Sequence, residues 1–267
     1  MLKLYNKLIM ASSEVILPVG VTQVDCGPVT LLYSGTEFGN VDTRPEFADP
    51  LAAERQEELW RCLKVSRLAL QKVRMGRDFE DLSGIDDEDL DEQFHVDGLI
   101  INRPGVALGL NTADCNAMTI YDRSGGAVGL IHVGRQGVDG DIHLSSLAYL
   151  MDRHSISSEN IGVHFGPSIR KASYKFPAKI AGEVFADPKW KQFMDIDPND
   201  NAMRTVDLLA RVVQEITDSS MGIGVDPENV QIVDVDTGAD NRYFSHARTG
   251  RTGEPEGRNG HVVALKP

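Results

Sequence analysis

Four apolar segments follow one another in the centre of the chain, and they limit the possible folds more than any other feature. The segments are residues 97–105, 106–113, 117–123 and 127–134, separated by Gly, Pro, Asn or Asp. Short apolar runs bounded by such residues are typical of β-strands. Because the runs are almost continuously apolar, we expect these strands to be buried on both faces. Ser124-Gly125-Gly126 predicts a hairpin turn between the last two segments.

Helical patterns flank this strand-rich centre. Helices are predicted over residues 49–63, where Asp49 would be the N-cap and Pro50 the first residue, and over 139–154 and 205–217. Further strands are predicted over residues 14–21, 29–34, 66–73, 160–169, 230–237 and 261–265. The acidic stretch 76–92 is predicted to be a surface loop. The pattern indicates an α/β fold of the α+β type, with mixed β-sheets flanked by helices in a single domain over residues 1–267.

The charge of the chain narrows its range of partners. With 27 basic and 40 acidic residues the net charge is −13, so we expect neither nucleic acid nor a membrane to be the main partner. A small phosphate or nucleoside needs only local positive charge. Residues 1–20 lack a secretory pattern, and three well-separated cysteines predict a reducing compartment. We therefore expect a cytoplasmic protein; no sequence pattern indicates its oligomeric state.

Cys115 and His132 are the main candidates for an active centre. Cys115 follows one buried strand, and His132 ends another, just before the glycine-punctuated turn Gly134–Gly137. A cysteine at a sheet rim can act as a nucleophile and a histidine as its base, or both can bind zinc. The alternatives are a small buried cysteine and a hydrogen-bonded core histidine.

Polar residues that follow other predicted strands are further candidates. Arg74 follows the strand at 66–73, Arg135 lies in the glycine-punctuated turn, Ser168 follows Gly166-Pro167, and Arg248 precedes the last strand. Arginine stays protonated, so it can bind an anion but cannot ligate zinc.

Several short motifs, in matching order over about residues 29–265, resemble one family. These motifs are His95–Gly98, Thr112–Cys115, His132–Gly137, Gly166–Ile169 with Ala172–Tyr174, and Phe244–Arg248, with weaker matches at Asn40 and Ala53–Arg55. The chain resembles the laccase-domain proteins, also called multicopper polyphenol oxidoreductases and better described as zinc-dependent purine nucleoside phosphorylases.

The resemblance implies a fold, a reaction and a site. It implies sheets flanked by helices, and phosphorolysis of adenosine, inosine and related nucleosides, sometimes with adenosine deamination. Cys115 and His132 match two zinc ligands of the family, whereas the third ligand position carries Arg74. The candidates for phosphate or substrate binding are Arg55, Arg74, Arg135, Gln136, Ser168 and Arg248.

The departures from the family pattern leave three functions open. The third zinc ligand would have to come from another group, such as His95 or His246. The first function is a purine nucleoside phosphorylase in which arginines bind phosphate. The second is a metal-independent Cys–His hydrolase or deamidase. The third is a non-catalytic relative that binds a nucleoside or a protein. Blue-copper chemistry is not predicted, because the chain offers one Cys–His pair rather than two histidines with a cysteine.

Overall fold

The structure, a computed structural model, describes residues 17–47, 49–90 and 92–267. These residues form two six-stranded sheets and one three-stranded sheet. The strands are β1 Val21–Asp25, β2 Val29–Ser34, β3 Arg67–Gln71, β4 Phe79–Asp81, β5 Gln93–Phe94, β6 Gly98–Ile101, β7 Val106–Thr112, β8 Asn116–Asp122, β9 Val128–Val133, β10 Ile161–Phe165, β11 Lys175–Pro177, β12 Met194–Asp197, β13 Asp200–Val206, β14 Val230–Ile232 and β15 Asn259–Leu265.

The two large sheets are both mixed. The first sheet has the order β1-β2-β15-β7-β3-β5, with β3 parallel to its neighbours β7 and β5. The second has the order β14-β10-β8-β9-β6-β4, with parallel pairs only at its two ends. The predicted fold class is therefore confirmed. The four central segments are strands, but β7 belongs to the first sheet and β6, β8 and β9 to the second.

Side-chain alternation along the strands builds three apolar layers. On β6, Leu99 and Ile101 face the space between the large sheets, whereas Ile100 faces the opposite side, where the helices of the second sheet pack. Successive strand residues point to opposite faces, so a strand buried on both sides must be apolar throughout. The outer face of the first sheet packs against a helix through Leu59.

Six α-helices cover these sheets in the described part of the chain. They are α1 Ala52–Arg61, α2 Arg135–Asp139, α3 Ile142–His154, α4 Ala178–Val184, α5 Leu208–Thr217 and α6 His246–Thr252. The helix predicted over 139–154 begins at Ile142, because Asp141 adopts a left-handed conformation with φ of 58° between α2 and α3. The helix predicted from residue 205 begins at Leu208, since β13 continues to Val206.

Three other predictions need correction. The first strand lies at Val21–Asp25 rather than at 14–21. Residues 14–16 of the predicted range lie outside the described residues, and so do residues 1–16 of the N-terminal segment that lacks a secretory pattern. Helix α1 begins later than predicted, although the Asp49 carboxylate does accept a hydrogen bond from the Leu51 amide at 3.0 Å. The acidic stretch contains the short strand β4. No helix in the described ranges has the length and apolarity needed to cross a bilayer.

Candidate active site

A cavity lies where the apolar layer between the two large sheets ends. On β3, β7 and β9 the inward positions change from Ala69, Leu110 and Leu130 to Gln71, Thr112 and His132, each two residues further on. A shift of two residues keeps a side chain on the same face of its sheet. These three polar side chains therefore meet at one edge of the sandwich, where they line a cavity of about 250 Å³ together with Cys115.

The turn between β7 and β8 places Cys115 at this cavity. Asp114 has a φ of 82°, which a residue with a β-carbon rarely adopts. Two hydrogen bonds hold its carboxylate: Oδ1 accepts from Thr237 Oγ1 and Oδ2 from the Ala247 amide, both at 2.7 Å. The same contacts bring the start of α6 to this edge, and His246 consequently lines the cavity as well.

Asp97 fixes the ring of His132. The His132 Nδ1 donates to Asp97 Oδ1 at 2.9 Å, and the His132 amide donates to the Asp97 carbonyl at 2.7 Å. The Asp97 carboxylate also accepts from the backbone amides of Arg74, Met75 and Gly76 at 3.3, 3.0 and 2.8 Å. Because a carboxylate only accepts, Nδ1 must carry the proton that joins the pair.

Local charges set the protonation of this pair. Burial disfavours the charged imidazolium, but the electrostatic interaction with Cys115 and the hydrogen bonds with Asp97 and Cys115 outweigh this effect and raise the pKa of His132 to about 9. Burial raises the pKa of Asp97, but hydrogen bonds from His132 and the backbone outweigh this, so its pKa is lowered. At neutral pH His132 is therefore an imidazolium whose Nδ1–H group is held by the Asp97 carboxylate.

Gly134 allows Cys115 and His132 to approach each other. A β-carbon at position 134 would lie 3.2 Å from Cys115 Sγ and 3.5 Å from His132 Nε2. Both reactive atoms thus border the space that the missing side chain leaves free. Because Nδ1 is bound to Asp97, Nε2 is the nitrogen available to Cys115 or to a ligand.

Three cations line the same cavity, although the chain as a whole is strongly acidic. They are Arg44, Lys72 and Arg258. The guanidinium groups of Arg44 and Arg258 both stack on Phe47, at 4.8 and 4.7 Å from the ring centroid. Arg44 pairs with Asp42 and Glu46, and Arg258 pairs with Glu256. Lys72 Nζ donates only to Thr43 Oγ1, at 3.4 Å, and pairs with no carboxylate in the described part of the chain.

The structure brings together only part of the set predicted from sequence. Cys115 and His132 share the cavity, but the side chains of Arg74, Arg135 and Gln136 do not line it. Arg74 is exposed and contributes its backbone amide to Asp97. Arg135 on α2 pairs with Asp139 at 2.8 Å, and Gln136 is exposed on the same helix.

The other predicted binding residues make structural contacts. Ser168 is buried, donates to Asn116 Oδ1 at 2.7 Å and accepts from Arg170. Arg248 pairs with Glu254 and donates to backbone carbonyls at residues 237, 240 and 243. Arg55 pairs with Asp49 at 2.7 Å. Neither Ser168 nor the Arg74 side chain lines the cavity with Cys115 and His132.

Asp97, Gln71 and Lys72 also belong to the site, although they were not predicted from the sequence. Asp97 lies in a motif that was noted, but its role follows from strand pairing: β6 and β9 are antiparallel with Gly98 opposite Ile131, which places Asp97 beside His132. Gln71 could have been found by two-residue periodicity, since it follows the inward-facing Ala69 on β3.

The described residues do not fit a zinc site with three protein ligands. Cys115 and His132 supply two suitable donors, but among the positions the structure describes no three His, Cys, Asp or Glu side chains are grouped to hold one metal ion. Arg74, at the third family position, is a cation and points elsewhere. His95 is exposed and does not line the cavity, and His246 Nδ1 is bound to Glu256 at 2.7 Å.

Comparison with known proteins establishes the family. The sequence profile described as multi-copper polyphenol oxidoreductase laccase matches residues 53–266. The chain belongs to this family. The resemblance inferred from the short motifs is thereby confirmed.

Relatives with modest identity carry enzyme names. A Bacteroides thetaiotaomicron protein named purine nucleoside phosphorylase is 36% identical over 90 residues, 33% of each chain. A Mycobacterium bovis protein with the same name is 29% identical over 159 residues, 59% of each chain. Adenosine deaminase RL5, from an unknown prokaryotic organism, is 34% identical over 85 residues, which is 30% of this chain and 32% of that protein. The matches therefore span between a third and three fifths of these relatives' lengths.

Solved structures show the same fold over nearly the whole chain. Bacillus licheniformis YfiH aligns with a TM-score of 0.71 at 17% identity, covering 89% of this chain and 93% of that one. Geobacillus stearothermophilus YlmD aligns with a TM-score of 0.68 at 19% identity and 93% coverage of both.

Proposed function

We propose that the chain cleaves purine nucleosides with inorganic phosphate in the Cys115–His132 cavity. The observation that carries the proposal is that Cys115, His132 and three basic side chains line one cavity, with Asp97 bound to the far nitrogen of the His132 ring. The names of the relatives support a nucleoside as the substrate class.

The cations suit the phosphate. The guanidinium groups of Arg44 and Arg258 stack on Phe47 and pair with carboxylates. The Lys72 ammonium group makes one hydrogen bond among the described residues, so its other N–H groups can bind a phosphate. An ammonium group is a compact charge that binds phosphate oxygens well. We therefore assign the main phosphate contact to Lys72, not to Arg74, whose side chain lies outside the cavity.

The His132 imidazolium suits the leaving purine. In phosphorolysis the bond from the ribose C1′ to the purine nitrogen breaks, a bond from C1′ to a phosphate oxygen forms, and the purine gains a proton. Burial lowers the pKa of His132, but interactions with Cys115 and Asp97 outweigh this effect and raise the pKa to about 9. His132 is therefore protonated at pH 7 and can donate a proton from Nε2. The anionic phosphate would stabilise the positive charge that develops on the ribose.

Purine release tests this proposal. We expect phosphate-dependent release of free purine from adenosine or inosine. Lys72→Met should raise the KM for phosphate about tenfold, the effect of losing about 1.4 kcal/mol of binding. Lys179→Met, which alters an exposed lysine on α4, is the matched control and should leave KM unchanged. Phosphate-independent turnover, or an equal KM for both variants, would contradict the assignment.

A second candidate function is a Cys–His hydrolase or deamidase. It is favoured by the contact of Cys115 with His132 and by Asp97 on the opposite ring nitrogen, since a nucleophile, a base and an orienting carboxylate are the usual parts of such a centre. This function predicts ammonia release from adenosine without phosphate, abolished by alkylation of Cys115. Ammonia and free purine are measured separately in the same reaction mixture, which distinguishes the two candidates.

A further inference from the structure

Gln71 contributes an amide to the cavity that the chain itself uses only in part. Its side chain is 3% exposed and lines the cavity with Cys115 and His132. The Nε2 group donates to the Leu130 carbonyl across the space between the sheets, at 2.8 Å. The Oε1 atom is buried and has no hydrogen-bond partner in the described part of the chain.

The contact with Leu130 fixes which end of the amide is free. A carbonyl accepts and cannot donate, so the amide must direct Nε2 towards Leu130 and leave Oε1 as the free acceptor. Buried acceptors without a partner cost free energy, and nearly all such atoms in folded proteins are hydrogen-bonded. A donor on a bound ligand would satisfy this one.

The other polar side chains of the cavity differ from this acceptor. Asp42 is a charged carboxylate that pairs with Arg44, and Asn111 is only half-buried. Thr112 Oγ1 is hydrogen-bonded to His261 Nε2 at 2.9 Å. The cations and the His132 imidazolium are donors only. Gln71 therefore supplies an uncharged acceptor that is more deeply buried than that of Asn111 and has no partner among the described residues.

We propose that Gln71 is a specificity-determining residue whose amide oxygen accepts a hydrogen bond from an uncharged N–H or O–H group of the bound nucleoside. This inference rests on the proposed function, because it takes a nucleoside as the ligand. The donor is either the exocyclic amino group of an adenine base or a ribose hydroxyl. A site with a fixed acceptor rejects an analogue that lacks the matching donor, since the acceptor is then left buried without a partner.

Calorimetric binding of three nucleosides tests the inference without requiring turnover. The ligands are adenosine, purine riboside, which lacks the amino group, and 2′,3′-dideoxyadenosine, which lacks two hydroxyls. For Gln71→Met we expect adenosine to bind about tenfold more weakly, while the analogue that lacks the relevant donor binds equally to wild type and variant. The insensitive analogue identifies the donor as amino group or hydroxyl.

Gln56→Met is the matched control. The Gln56 side-chain amide also donates to a backbone carbonyl, that of Val41, at 3.2 Å. The Gln56 side chain, however, lines a different cavity. We expect this variant to bind all three nucleosides like wild type.

The outcomes separate this inference from the proposed function. If wild type binds no nucleoside, both fail. If wild type binds adenosine but Gln71→Met changes no affinity, or weakens all three ligands equally, the role of Gln71 is overturned and the proposed function stands. If the variant does not fold, binding to wild type still tests the role of Gln71, because one of the two analogues must then bind about tenfold more weakly than adenosine. Equal affinity of wild type for all three nucleosides would overturn that role.

Discussion

Two buried histidines in the same space between the sheets differ in charge. His132 on β9 is 5% exposed and His261 on β15 is 4% exposed. Burial disfavours the charged form of both, yet Cys115 and Asp97 raise the pKa of His132 to about 9, whereas burial and the nearby His164 lower that of His261 to about 3. The pKa of His164 is lowered to about 4, chiefly by burial.

The difference shows that partners rather than burial decide the charge of a histidine in this core. His132 contacts a carboxylate and a thiol, whereas His261 contacts the neutral hydroxyl of Thr112. A buried histidine without an anionic partner stays neutral and supports packing. His132, with the Asp97 carboxylate on its Nδ1, instead holds a proton that it can donate.

The largest expected effect comes from removing the carboxylate that distinguishes His132. Asp97→Asn keeps the shape of the side chain but removes its charge, so the pKa of His132 should fall and purine release should slow on the order of 10³-fold. The measurements are kcat and an NMR titration of the His132 ring. Asp240→Asn, at a surface pair with Arg242, is the control. An unchanged His132 pKa would contradict the role of Asp97.

The neutral histidines should make the fold sensitive to acid. A base whose pKa is lowered on folding contributes stability that is complete above its unfolded value of about 6.5 and is lost as the pH falls towards its folded value. Burial is the main cause of the lowered pKa of His164. We expect this histidine to cost the fold about 3 kcal/mol of unfolding free energy as the pH falls from about 6.5 to about 4.

Denaturant unfolding of His164→Gln against wild type measures this contribution. The variant should lose less unfolding free energy than wild type as the pH falls, and exposed His95→Gln should behave like wild type. If the unfolding free energies of wild type and His164→Gln fall in parallel with pH, the prediction is wrong. His132 has the opposite sign: its contribution is complete below about pH 6.5 and is lost as the pH rises through about 9.

A smaller effect is expected from the close approach at Gly134. In Gly134→Ala the new β-carbon would lie 3.2 Å from both Cys115 Sγ and His132 Cε1, which separates the two side chains. We expect kcat/KM to fall about tenfold and the His132 pKa to fall, with about 1 kcal/mol lost in stability.

Gly182→Ala is the matched control for this substitution. Gly182 lies in α4, and no atom lies within 4 Å of the position its β-carbon would take. Alanine there should leave activity unchanged and stabilise the helix by about 0.5–1 kcal/mol. Equal activity of the two variants would show that the space beside Gly134 is not needed.

The fold was largely predictable because burial on both faces leaves a clear pattern. The apolar runs that became β6 to β9 all identify strands, and the hairpin between β8 and β9 follows from Ser124-Gly125-Gly126. The small sheet of β11, β13 and β12 was not predicted, since its strands are partly exposed and carry many polar residues. The division of the four central strands between two sheets depends on long-range pairing that local patterns do not encode.

The site was predictable only where a residue type is rare. Cys115 and His132 were identified because few side chains can perform such chemistry at a strand end. Lys72 was not predicted, because it lies inside the strand predicted over residues 66–73, whereas Arg74 follows that strand. Arg74 precedes Met75, whose φ is 58°, and its exposed side chain lies outside the cavity.

By itself, the sequence determined the strand-rich core, the family and the Cys115–His132 pair, because apolar periodicity and short motifs are local properties of a chain. Only the tertiary structure decided that Asp97 holds His132, that Lys72 rather than Arg74 lines the cavity, and that Gln71 has a free acceptor. These are contacts between strands that are distant in sequence, and their geometry depends on how the sheets pair and pack.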